Sequence, residues 1–295
     1  MRLVRPFVFQ TRMALAGLLV VAVVTGTALQ ADDAAATRRL DDPDRLVAWC
    51  VVPFDAKKRG PRERAEMLQR LGFRKLAYDW RAEHVPTFEE EILELKQHGI
   101  EYFAFWDVHE EALRLFEKHG IHPQIWKTAP SPRADTQEAR VAAAGRQMLP
   151  LVKRTRQAGC KLGLYNHGGW GGEPANLVAV CRWLRENADA DHVGIVYNLH
   201  HGHGHIADFA ESLAVMQPYL LCLNLNGMND NAQPKIVSLG RGQHERGLLQ
   251  IIRKSGYDGP IGLLDHRNEL DAEQSLRENL DGLRELTTEL EAAGR

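Results

Sequence analysis

Histidines concentrate in one short stretch of this chain. Val193–His205, VGIVYNLHHGHGH, opens as an apolar run with β-branched residues and then breaks into His200, His201, His203 and His205, spaced by glycines. Imidazole titrates nearer neutrality than any other side chain and is a common metal ligand. The stretch therefore offers proton transfer or metal binding. A sister stretch, KLGLYNHGGWGG (Lys161–Gly172), has the same grammar of apolar run, Tyr-Asn, then His167 among glycines. Short apolar runs of this kind read as buried strands, so each histidine falls just past a strand end.

Those two strands belong to a longer alternation. Apolar runs occur at Leu46–Asp55, Lys75–Trp80, Glu101–Asp107, His122–Thr128, Lys161–His167, Val193–Leu199, Tyr219–Gly227 and Pro260–His266. Between them lie amphipathic stretches with helical spacing, such as Ala65, Leu68 and Leu71 behind Pro61, and Ile206, Phe209, Leu213 and Met216. Longer helices are expected over Asp135–Ala158 and His244–Lys254, and Leu276, Leu280, Leu283 and Leu290 close the chain. Gly72-Phe73, Gly99-Ile100, Gly120-Ile121, Gly159-Cys160 and Gly256-Tyr257 each stand between a helix and the next strand, as helix-terminating glycines do. Eight strand–helix units are the count of a (β/α)8 TIM barrel, an α/β fold. A doubly wound open sheet shares the local grammar, but no G-x-G-x-x-G follows the first strand.

The barrel, over residues 46–292, is preceded by a different kind of segment. Arg2, Arg5 and Arg12 lead into an uncharged apolar run from Met13 to Leu29. That order matches a secretory signal peptide over residues 1–31, with an uncleaved membrane anchor as the alternative. Residues 32–45 read as a flexible leader. The implied localisation is export, to the periplasm. The whole chain of 295 residues has net charge −2, and loss of the three arginines takes it to −5. This balance excludes the basic surface of a nucleic-acid partner. A membrane partner follows only if the N-terminal segment stays attached, and a homo-oligomer is compatible with the composition. Cys50, Cys160, Cys181 and Cys222 lack metal-ribbon spacing; export would let them pair, but their apolar contexts favour small buried hydrophobes.

Active sites of such barrels gather at the C-terminal strand ends. In order, those ends carry Asp55, Asp79 with Trp80, Trp106 with Asp107, Trp126 with Lys127, Asn166 with His167, Asn198 with His200 and His201, Asn224 with Asn226, and Asp265 with His266. Polar groups beside aromatic rings suit a carbohydrate, whose hydroxyls need partners and whose C–H faces pack on rings. Asp55 and Asn226 read as turn or cap residues.

The segments LGLYNHGG, VGIVYNLHH, LNLNG and GRGQHERGLLQIIRKSGYDGPIGLLDH, with the Asn279-Leu280 helix, resemble the xylose isomerase-like TIM-barrel family of sugar-phosphate isomerases and epimerases, related to endonuclease IV. The Gly240–Gly259 portion is the most telling. The resemblance implies a divalent metal held by Glu, Asp, His and Glu on strands five to eight, polarising a carbonyl while an acid or base moves the α-proton. This chain places Tyr165, Asn198, Asn224 and Leu264 at those positions, and Asp265 one residue on, on the opposite face. Neutral amides are weak ligands for a hard cation, so the resemblance implies an altered or absent metal site.

Three functions compete. The first is a sugar isomerase, epimerase or related lyase. It has His201 or His167 as general base and Lys235 steadying an enolate-like oxygen. Asn166, Asn198, Asn224, Trp80, Trp106, Asp79 and Asp107 would bind a small-molecule carbohydrate. The second is an amidohydrolase-like metal hydrolase, since Lys127, His167, His201 and Asp265 occupy comparable strands, though the strand-one His-x-His is missing; His167, His201 and Asp265 are its candidate metal ligands. The third is a non-catalytic carbohydrate-binding barrel. His203 and His205 read as bystanders, and Glu245 as a carboxylate of a first helical turn.

Overall fold

A computed structural model describes residues 38–293. The expected signal or anchor segment lies outside them. Eight parallel strands close in chain order into a barrel: β1 (Leu46–Trp49), β2 (Lys75–Tyr78), β3 (Glu101–Trp106), β4 (Gln124–Thr128), β5 (Leu162–Tyr165), β6 (Val193–Asn198), β7 (Leu220–Leu225) and β8 (Ile261–Leu264). β8 pairs back on β1, with Leu46 opposite Ile261 and Trp49 opposite Leu264. Parallel neighbours need a crossover. Here each is a helix: α1 (Pro61–Leu71), α2 (Phe88–Gln97), α3 (Glu110–His119), α4 (Gln137–Gln157), α5 (Pro174–Ala188), α6 (Phe209–Met216) and α7 (Glu245–Lys254), with α8 (Ala272–Ala292) closing the ring. Among the described residues no helix is long and apolar enough to cross a membrane.

The expected helix ends form as the glycines dictate. Gly72, Gly99, Gly120, Gly159 and Gly256 all take positive φ. At the first four, the next residue's N–H turns back onto the helix, as from Phe73 to the Leu68 carbonyl at 3.0 Å and from Ile121 to the Phe116 carbonyl at 3.0 Å. The helix stops and its successor strand starts in register with the barrel.

The pleat sorts each strand into two faces. Val47, Trp49, Ala77, Phe103, Trp126, Tyr165, Val196, Cys222 and Leu264 fill the barrel interior. Ala48, Leu76, Leu164, Ile195, Leu223 and Leu263 pack outward under the helices. Room for the inner aromatics comes from small partners: a Cβ on Gly163 would stand 2.6 Å from Val196 and 3.0 Å from Trp126.

The leader ends sooner than its composition suggests. Leu40 is buried. Arg45 is buried too and spreads its guanidinium over four carbonyls, those of Arg38, Arg39, Tyr257 and Gly259, at 2.9–3.1 Å. Residues 38–45, the described part of the expected leader, are thus tied to the barrel beside the start of β8, although Arg38, Arg39, Pro43 and Asp44 stay exposed. The ion pairs Arg39–Glu291 and Arg74–Asp44 add to the Arg45 bonds, and tertiary ties of this kind leave no periodic signal.

Candidate active site

The C-terminal ends of β1, β2, β3, β5, β6 and β8 enclose a cavity of about 240 Å³. Trp49, Trp106, Tyr165 and Leu264 give it an apolar floor, and Cys50, Phe54, Asp79, Arg81, His167, Asn198, His200, His201 and His266 complete the wall. The rings pack edge to face: Trp49 and Trp106 have centroids 5.8 Å apart, and Trp106 and Tyr165 4.7 Å. Cys50 and His266, at the adjoining ends of β1 and β8, both hold left-handed backbone with φ 57°. Non-glycine residues accept that cost chiefly where their position matters.

Four imidazoles cross this mouth in a row. His266 lies 5.1 Å from His200, His200 lies 4.7 Å from His201, and His201 lies 4.5 Å from His167, centroid to centroid. Burial, with their mutual repulsion and that of Lys235, pushes His200 down to about 2 and His201 to about 3. Burial and Lys235 lower His167 and His266 as well. All four are therefore neutral at neutral pH, each with one N–H and one lone pair to offer.

Asp79 is the cavity's carboxylate. It is 2% exposed; Oδ1 accepts the Val52 N–H at 3.3 Å, and Oδ2 is buried without a partner. Burial drives it up to about 7, against the opposing pull of Arg81. It holds its proton near neutrality and is placed to donate it.

Beneath the cavity lies the set that the family resemblance assigns to a metal. The Tyr165 hydroxyl accepts Nε1–H of Trp49 at 3.1 Å and Nδ2–H of Asn198 at 2.5 Å. Asn198 Oδ1 accepts the His200 N–H at 3.0 Å, which starts the short 3-10 turn Leu199–His201. Leu264 completes the quartet with an apolar side chain. A phenol held by two N–H donors, two amides and a leucine do not make a cradle for a hard divalent cation. Among the described residues, no three His, Cys, Asp or Glu side chains stand where they could hold one ion.

Of the residues expected to act, His167, His201, Asn198, Asp79 and Trp106 meet in this cavity. Others do not reach it. Asn166 is buried and clasps the Asn198 backbone, accepting its N–H at 2.7 Å and donating to its carbonyl at 3.0 Å. Asn224 is fully buried below the phenol, with Nδ2 unpartnered. Trp80 turns out of the barrel onto Phe88, Phe105 and His109 and donates to the Trp106 carbonyl at 2.8 Å. Asp107 accepts from Lys127 Nζ and from the Val108 N–H. Lys235 stands outside the wall on the exposed loop after β7.

The hydrolase-like set does not assemble. Lys127 is paired with Asp107. Asp265 faces away from the barrel interior, 1% exposed, where burial raises it to about 8. Neither of its oxygens closes a hydrogen bond; Ser275 and the Arg267 backbone are its nearest donors. His205 is tied to Glu173 at 2.8 Å and Asp208 at 3.1 Å, and His203 Nδ1 donates to the His200 carbonyl at 3.1 Å, so both stay out of the cavity wall. Asp55 caps its loop through Lys57, Arg59 and Ala272, and Glu245 caps α7 through Gly242 and His244, as their positions suggest.

Trp49, Phe54 and Arg81 are wall residues that strand-end reading passes over. Period-two alternation from Val47 points to Trp49; nothing in the sequence marks Phe54 or Arg81. Cys50 also lines the cavity, whereas Cys160, Cys181 and Cys222 are buried free thiols.

The family model described as xylose isomerase-like TIM barrel matches residues 88–286. No curated protein matches the sequence. Among solved structures, the 3-keto-D-glucoside 4-epimerase of E. coli superposes with a TM-score of 0.60 at 17% identity, over 82% of this chain and 99% of its own. A probable 3-DHS dehydratase of Bacillus anthracis gives 0.63 at 14%, over 81% and 98%. A D-tagatose 3-epimerase-like protein gives 0.63 at 13%, over 85% and 100%. At these identities the likeness is one of fold.

Proposed function

The chain belongs to the xylose isomerase-like TIM barrel family, and we propose that it is a sugar isomerase or epimerase that moves a proton on the carbon next to a carbonyl. The observation that carries this reading is the His167–His201 pair, 4.5 Å apart, over the Trp49, Trp106 and Tyr165 floor of a cavity at the strand ends. A sugar's C–H face packs on the aromatic floor while its hydroxyls meet neutral imidazoles and the Asn198 amide.

In this reading His201, with His167 beside it, takes the α-proton. The pair's proton affinity, lowered by burial, rises as the enediolate's negative charge forms next to it. Asp79 lies in the cavity wall and carries a proton near neutrality, with its Oδ2 buried and unpartnered; in this reading it hydrogen-bonds the carbonyl oxygen where that charge develops. The positions that resemblance assigns to metal ligands are unsuited to one.

The test is solvent exchange. Purified protein is incubated in D2O with a panel of ketoses and aldoses, and C–H signals are followed by NMR. Deuterium entering next to the carbonyl, lost in His201→Ala, supports the enzyme. Saturable sugar binding without exchange assigns the barrel to carbohydrate binding instead, and near-stoichiometric zinc with amide hydrolysis assigns it to the hydrolases.

A further inference from the structure

We infer that the cavity mouth recognises the carboxylate of an acidic sugar, with Arg81 and Lys235 as its counter-ions. This rests on the reading of the cavity as a sugar site and names the substrate class that site takes.

The first observation is an exposed guanidinium on the cavity wall without an acidic partner. The Arg81 backbone N–H donates to His84 Nδ1 at 2.8 Å, and Nη1 donates to the Trp80 carbonyl at 2.8 Å. The guanidinium carbon stands 5.7 Å from the Phe54 ring centroid, and both residues line the cavity. Among the described residues Arg81 forms no ion pair. Its remaining N–H groups are held at the rim as a planar fork, the shape that binds a carboxylate through two parallel bonds.

The second observation is the sign of the field. Lys235 makes no ion pair among the described residues, and its charge depresses His167, His200, His201, His203 and His266 alike. Arg81 acts in the same direction on His266 and opposes the burial of Asp79. The four mouth imidazoles are neutral, and the wall's one carboxylate, Asp79, is largely protonated below neutrality. Arg81 on the wall, with Lys235 on the exposed loop outside it, therefore sets a positive field over a cavity with almost no compensating charge. Arg81 thus brings an uncompensated charge to the wall of a cavity whose other groups are neutral, and an anion from the ligand would balance it.

A carboxylate fits better than a phosphate. The wall itself carries one cation, Arg81, which a monoanion balances; a dianion would leave net negative charge beside Asp79, which ionises near pH 7.

Binding separates the alternatives. D-glucuronate, D-galacturonate and D-gluconate are titrated against neutral D-glucose and D-galactose and against D-glucose 6-phosphate, by ligand-observed NMR or calorimetry at low and high salt. At least one sugar acid should bind about tenfold or more tighter than the neutral sugars at low salt. Arg81→Gln should bring the ratio of acidic- to neutral-sugar affinity, measured within the same protein, close to one; Lys235→Gln should reduce that ratio, and added salt should erode it. Equal affinity for neutral and acidic sugars, tighter Arg81-dependent binding of the phosphate, or an unchanged Arg81→Gln variant overturns the inference and leaves the sugar reading standing. Failure of every sugar to bind overturns both.

Discussion

Asp79 gives the most quantitative handle on this site. Its folded value is about 7 against 3.8 for an ordinary aspartate, and the cause is burial. The neutral form is the one the fold accepts. Its stabilising contribution is complete below pH 3.8 and declines as pH rises through 7. At about 1.4 kcal/mol per unit the shift corresponds to about 4 kcal/mol, or about 2 kcal/mol if the cavity relaxes and admits water around the charge. Asp79→Asn keeps the acceptor for the Val52 N–H and removes the ionisation. We expect urea unfolding to find the variant within about 1 kcal/mol of the parent at pH 4 and about 2–4 kcal/mol more stable than it at pH 8. Asp265, raised by burial to about 8, keeps a second decline of the same sign in both proteins. Parallel pH profiles for the two proteins, or a parent that gains stability between pH 4 and 8 through this group, would refute the burial of Asp79 as the cause.

Other perturbations probe the neighbouring groups. His201→Ala should lower C–H exchange by about 10²–10⁴-fold with circular dichroism and melting unchanged; undiminished exchange would remove His201 from the chemistry. Gly262→Ala places a methyl group against the Asn224 side chain and should cost about 1–3 kcal/mol in chemical denaturation; a neutral result would mean the barrel interior yields there. Exhaustive dialysis against a chelator should leave exchange intact, because Tyr165, Asn198, Asn224 and Leu264 stand where the family resemblance puts metal ligands; loss of exchange restored by one divalent ion would contradict that.

The barrel was legible because each of its determinants is local. Five helix-ending glycines, short apolar runs and helical stripes recur at intervals that admit few other folds. The histidines were equally visible, since His167, His200 and His201 follow strands whose ends could be located to within a few residues. Which side chains enter the cavity was less accessible. Trp80 and Asn166 lie next to wall residues in sequence, but a step of one residue reverses the face, and Trp80 turns toward α2 and α3 while Asn166 spends both amide groups on the neighbouring strand. Asn224 has the right face and stands opposite Asn198, but it is fully buried and outside the cavity wall. Arg81 belongs to the site through a turn held by His84 and a stack on Phe54, contacts with no periodic signature. Arg45 and Leu40 show the same at the other end of the barrel, where tertiary bonds order a segment whose composition reads as linker.

The most direct test of proton transfer in this cavity is incorporation of solvent deuterium at the carbon adjacent to the carbonyl of a sugar held at saturating concentration, for the parent and for His201→Ala side by side. We expect time-dependent incorporation by the parent and its near-complete loss in the variant. Saturable binding of the same sugars with no incorporation by either protein would contradict the assignment and leave a binding barrel in its place.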